Sequence, residues 1–102
     1  MALPPRNHRI TLEDAAAHTR RHRKAHPRGV KSFTFAKGQV LKLLGQPGCV
    51  GLRVHLGRTA TGKQTLVLSG VDRTGADQVH AVLLNDPSPC PPYCGPGTAL
   101  NS

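Results

Sequence analysis

Apolar residues concentrate between Phe33 and Leu84, and their spacing changes along that stretch. Before it, Leu12, Ala15, Ala16 and Thr19 recur at helical spacing as a thin stripe on an otherwise polar segment. Thr11 followed by Asp14 resembles a capping box, Ala15-Ala16-Ala17 favours helix, and Pro27 requires an end near Ala25. Lys31–Phe35 alternates with period two and predicts a short strand with Phe33 and Phe35 on one face. Lys37 to Leu44 predicts a second helix, with Val40, Leu41, Leu43 and Leu44 toward the core and Gly45 at its C-terminal cap.

Three strands are predicted next. Cys49–Gly57 and Gln64–Val71 flank a loop containing Thr61-Gly62-Lys63. Pairing Leu56 with Thr65 sets Val54 against Val67, Val50 against Val71 and Gly51 against Gly70, a register that gathers one uniform apolar face. Asp72-Arg73-Thr74-Gly75 suits a type I turn with glycine in the left-handed position. The third strand, Asp77–Leu84, then adds Val79, Ala81 and Leu83 to the core face, leaving Arg53, His55, Leu66, Leu68 and His80 on a mixed second face. Five prolines in Asn85–Gly97 predict an extended, irregular tail. The expected fold is α+β, an antiparallel meander of three or four strands with two helices on one face. The expected organisation is an N-terminal arm over residues 1–9, one domain over 10–86 and a Pro/Cys-rich tail over 87–102.

Composition sharpens the functional question. With 14 Lys and Arg against five Asp and Glu, the net charge is +9, which attracts nucleic acid, anionic membranes or acidic proteins without specifying among them. Much of that charge lies in Arg20, Arg21, Arg23, Lys24 and Arg28, at and beyond the end of the first helix. Cations there favour the helix dipole, but that effect fades within a turn and does not account for so many. Binding of phosphates by these side chains would be sequence-independent and salt-sensitive. No aromatic residues interleave with them to stack on bases, and no helix-turn-helix, zinc-finger or RNA-recognition signature is present. His18, His22 and His26 share a helix face, but arginines between them oppose a bound cation.

Cys90-Pro91-Pro92-Tyr93-Cys94 places two thiols on a stiff turn. They suit a disulfide, a reduced structural pair or half of a zinc site, which Cys49 and His80 or His55 would complete. Cys49 alone reads as a small core hydrophobe. Neither a C-x-x-C motif nor a following helix is there to activate a thiolate, and the five acidic residues form no evident catalytic pair. An enzyme is not required by anything in the chain. No N-terminal stretch has the apolar run of a signal peptide and no run has the length of a membrane span, so the expected location is cytoplasmic.

Gln46-Pro47-Gly48-Cys49-Val50-Gly51-Leu52-Arg53-Val54, Leu66-Val67-Leu68-Ser69-Gly70-Val71-Asp72 and the Cys90–Cys94 segment together resemble a family of short uncharacterised bacterial proteins, mainly from Bacteroidetes. The resemblance spans about Ile10 to Gly95 and implies a single-domain bacterial protein in which Cys49 accompanies the tail pair. It carries no functional residue across. The basic first helix and Gly97–Ser102 depart from the family pattern. The resulting expectation is a non-enzymatic interaction module that binds nucleic acid or another polyanion electrostatically. Its alternatives are a protein that self-associates through strand edges and a module stapled by metal or disulfide.

Overall fold

The computed structural model describes residues 2–101; Met1 of the expected arm and Ser102 of the expected tail lie outside the described residues. The elements are α1 (Leu12–Ala25), β1 (Ser32–Thr34), α2 (Lys37–Leu44), β2 (Gly51–Arg58), β3 (Gln64–Val71), β4 (Leu83–Leu84) and β5 (Ser88–Cys90). Every described strand pairing is antiparallel, so the fold is α+β. The chain divides into two compact units, residues 2–5 with Phe35–Pro87, and Arg6–Thr34 with residues 88–101.

The first unit holds the sheet β2-β3-β4, with α2 packed against β3 and β4. Its register differs from the expected one by a single residue: Gly51 opposes Val71, Val54 opposes Leu68 and Leu56 opposes Leu66. Because side chains alternate, that slip exchanges the faces. Leu52, Val54, Leu56, Leu66, Leu68 and Gly70 now share one face, and Arg53, His55, Val67, Ser69 and Val71 share the other. The physical reason is segregation. The expected register would have set Arg53 and His55 beside Leu66 and Leu68, whereas the observed one brings both basic side chains to Asp77.

The third strand is also interrupted. Asp77 opposes Val71 in an isolated bridge and Leu83 opposes Ser69, so residues 79–82 loop out of the ladder. Side-chain amides hold the loop: Val82 N donates to Gln46 Oε1 at 2.6 Å, and Gln78 Nε2 donates to Pro47 O at 3.0 Å. Val79 and Leu83, expected in the core, are consequently 56% and 48% exposed. Of the four apolar residues expected to point inward from α2, Leu43 is fully buried, whereas Leu41 and Leu44 are exposed.

Two glycines are structurally required here. Gly75 has φ +88° in the turn, where Asp72 Oδ1 accepts from Thr74 N, Thr74 Oγ1 and Ala76 N. Gly70 lies beneath Gln78, Cys49 and Gln46, where a Cβ would meet Cys49 Sγ at 3.0 Å and would collide with Gln78 Oε1. Since Gln46 and Cys49 follow α2, Gly70 also identifies the leucine face as the one α2 covers.

In the second unit, Thr11 Oγ1 accepts from Asp14 N and caps α1, as the capping pattern predicts. The tail is less irregular than expected, since Ser88–Cys90 forms β5 and pairs with β1. Proline at position 89 is compatible with an edge strand because that position needs no outward donor. Only Ala16 of the α1 stripe is buried, and α1 belongs to this unit, not to the three-stranded sheet.

Gly70→Ala is expected to destabilise the protein by about 1–3 kcal/mol in urea unfolding, the usual cost of overpacking. Gly38→Ala, where a Cβ meets nothing within 4 Å, should be neutral or stabilising by up to about 1 kcal/mol. Equal effects at the two positions would contradict the packing described at Gly70.

Candidate functional site

Two polar constellations stand out, one in each unit. In the first, β2 presents Arg53 and His55, β3 presents Ser69, and the bridge at Val71 places Asp77 beside them. Asp77 Oδ1 accepts from Ser69 Oγ at 2.8 Å, from Arg53 at 3.0 Å and from His55 Nε2 at 3.3 Å. The Ser69 hydrogen bond, then the bond and charge of Arg53 and the charge of His55, hold the Asp77 carboxyl below its ordinary value, against some desolvation.

The residue types are those of a nucleophilic triad, but the connections are not. In a triad one imidazole nitrogen takes the serine proton while the other is held by the carboxylate. Here His55 Nε2 faces both Ser69 Oγ and Asp77, and the Ser69 proton already goes to the carboxylate. Ser69 is also 2% exposed, which denies a substrate access to its oxygen. The cluster is a structural clamp across three sheet positions.

The expected zinc ligands do not assemble. Cys90 and Cys94 form a disulfide with Cα atoms 4.7 Å apart, which consumes both thiols. Cys49 is free, and its Sγ donates to Gly51 O at 3.3 Å rather than serving as the tail's partner. Cys49 lies over Gly70 on the leucine face, while His55 is held on the opposite face by Asp77. His80 sits exposed in the loop after the bridge. Among the described residues, no group of three or more His, Cys, Asp or Glu could hold a metal ion.

The second constellation is α1 and the turn after it. At 100° per residue, Arg20, Arg21 and Lys24 fall within a sector of about 100°. All three are exposed, as is Arg28 beyond the helix end. Among the described residues the two ion pairs both belong to Asp77, so none of these four cations has a carboxylate partner. Glu13 and Asp14 stand in the first turn of α1, about 10 Å along the axis from Arg20. The second unit carries eight Lys and Arg against two acidic residues, a net of +6 of the chain's +9.

Arg23 departs from the group. Its guanidinium donates to Leu100 O at 2.6 Å, and Asn101 Nδ2 donates in turn to Cys94 O at 3.1 Å. The expected fifth cation therefore ties the C-terminal segment to the helix, a role its position among other arginines did not announce. The histidines are similarly occupied: His22 Nε2 donates to Val30 O at 3.1 Å and His18 Nδ1 meets the Arg21 guanidinium at 2.9 Å. Asp77, which the sequence marks only as the start of a strand, is the acceptor on which the first constellation depends, and no local motif signals that role.

Among the described residues no helix is long and apolar enough to cross a membrane. No protein-family model matches the chain, and no curated protein or solved structure is significantly similar to it.

Two expectations follow from the clamp and the disulfide. A lowered carboxyl stabilises the fold fully above its unfolded value, about pH 3.9, and loses that contribution as pH falls through the lowered folded value. The urea midpoint of the natural protein should therefore fall further between neutral pH and about pH 3 than that of Asp77→Asn; parallel curves would refute the clamp. In denaturant without reductant, thiol titration should detect one cysteine, Cys49, and after reduction three. Three thiols without reduction would contradict the staple.

Proposed function

We propose that the protein is a non-enzymatic module that binds nucleic acid or another polyanion through Arg20, Arg21, Lys24 and Arg28. The single observation behind this reading is a set of exposed cations with no carboxylate partner among the described residues, in a unit of net charge +6. Unneutralised cations held on a helix raise the local potential and exchange condensed counterions for phosphates, which supplies sequence-independent affinity. The helix is suited to hold them because Thr11 caps its start and the tail is bound to Arg23 near its end. Arg23 contributes to the field but spends its donor on Leu100, so it acts as a positioning residue for the others.

A cytoplasmic location was expected from the sequence, yet thiols there are normally kept reduced, which does not suit a Cys90–Cys94 disulfide. The polyanion reading is independent of that conflict, because all four cations lie outside the disulfide loop. It is specific to this chain, since the basic helix is where the sequence departs from the bacterial family it resembles.

Fluorescence anisotropy with mixed-sequence duplex DNA across a salt series tests the reading. Affinity should fall steeply with salt. Combining Arg20→Ala, Arg21→Ala and Lys24→Ala should make the log–log slope shallower by about 2–3, since each phosphate contact contributes about 0.9. A salt-insensitive affinity, or a triple variant with the natural slope, would overturn it.

A further inference from the structure

We infer that the free edge of β2 is a self-complementary surface that pairs with β2 of a second copy, forming a symmetric dimer with Val54 on the two-fold axis. This inference stands apart from polyanion binding and uses residues of the other unit.

The direction of the backbone groups can be followed from one strand to the next. Asp72 N donates to Ala76 O and Gln78 N donates to Gly70 O, so the bonds on the β4 side of the Val71–Asp77 bridge belong to Gly70 and Asp72. In an antiparallel ladder these directions alternate. Val71, Ser69, Val67 and Thr65 therefore point their N–H and C=O groups toward β2, in agreement with the bond from Val50 N to Val71 O at 2.8 Å. Their partners Gly51, Arg53, His55 and Gly57 point back. Leu52, Val54 and Leu56 are left with N–H and C=O directed away from the sheet. Among the described residues β2 pairs with β3 alone.

The side chains at those same positions are apolar and uncovered. Leu52, Val54 and Leu56 are 43%, 50% and 80% exposed, beyond the reach of α2, which packs on β3 and β4. This edge has no proline, and its apolar face carries a charge only at its far end, at Arg58, so the stretch Leu52–Leu56 lacks the usual protection against pairing.

A second copy fits this edge through a specific register. If Val54 opposes its own copy, Leu52 opposes Leu56 and Leu56 opposes Leu52, so the three apolar residues with outward backbone groups meet one another. All apolar side chains then fall on one continuous face. Arg53 opposes His55 on the other face, where each is already hydrogen-bonded to Asp77 of its own chain. Gly51 opposes Gly57, which removes side-chain bulk at both ends. Shifting by one residue would set Val54 against His55 and mix the faces. A contact built from one strand per copy lies at the small end of the interface range, below about 1,200 Å², so the dimer is concentration-dependent. Each copy carries +9, and screening that repulsion should strengthen the dimer as salt rises, opposite to the effect on polyanion binding.

Sedimentation equilibrium from micromolar to millimolar protein should show a shift from one to two copies, stronger at high salt. Val54→Lys, which puts like charges across the axis, should abolish the shift while leaving circular dichroism and the urea midpoint near those of the natural protein. Leu83→Lys on β4 should leave it intact. Register is read by oxidative cross-linking in a Cys49→Ser background. Val54→Cys should link to itself, whereas Leu52→Cys and Leu56→Cys should link to each other when mixed and not to themselves. A monomer at all concentrations, dimerisation of Val54→Lys, or self-linking of Leu56→Cys would overturn the proposal.

Discussion

Asp77 receives hydrogen bonds from Ser69, Arg53 and His55, and it can do so only because the β2–β3 ladder sets Gly51 opposite Val71. One residue of slip would carry Arg53 and His55 to the leucine face and leave both without this acceptor. The register decides the character of both faces, since it collects Leu52, Val54, Leu56, Leu66 and Leu68 together and isolates the charged groups behind them. It also decides which backbone groups of β2 remain unpaired. Cluster, covered core and free edge are thus three consequences of a single alignment.

The two units divide the chemistry between them. The sheet unit keeps its one charge cluster internally paired and leaves an apolar strip exposed. Among the described residues the helical unit leaves four cations without a carboxylate partner, and it uses hydrogen bonds, with a disulfide, to order the segment that follows β5. Arg23 and Asn101 connect that segment to α1 and to Cys94, so the staple and the basic helix belong to one small hydrogen-bonded assembly. A charged helix with so little buried surface depends on such local ties, because Ala16 alone among its residues is buried.

Elements governed by local chemistry were legible in the sequence. Thr11 and Pro27 bound α1, Gly45 ends α2, and the Asp72–Gly75 turn forms with the expected geometry. What depended on distant partners was not. Matching valine to valine across β2 and β3 ignored the need of Arg53 and His55 for a carboxylate, and Asp77 lies beyond a turn in the sequence. The Asp77–Leu84 alternation looked like one strand, but Gln46 draws Val82 out of the ladder from a position 36 residues earlier. The C-x3-C spacing was visible without its state, because a disulfide and a metal site use the same two thiols. At α1 the cluster of cations was plain, while the diversion of Arg23 depended on a carbonyl 77 residues away.

The alignment of β2 with β3 is directly measurable by nuclear Overhauser contacts between α-protons, which are strongest at the non-hydrogen-bonded pairs of an antiparallel ladder. With Gly51 opposite Val71, the expected contacts are Val54 to Leu68 and Leu56 to Leu66. Contacts from Val54 to Val67 and from Leu56 to Thr65 would contradict the alignment, and with it the Asp77 clamp and the free apolar edge.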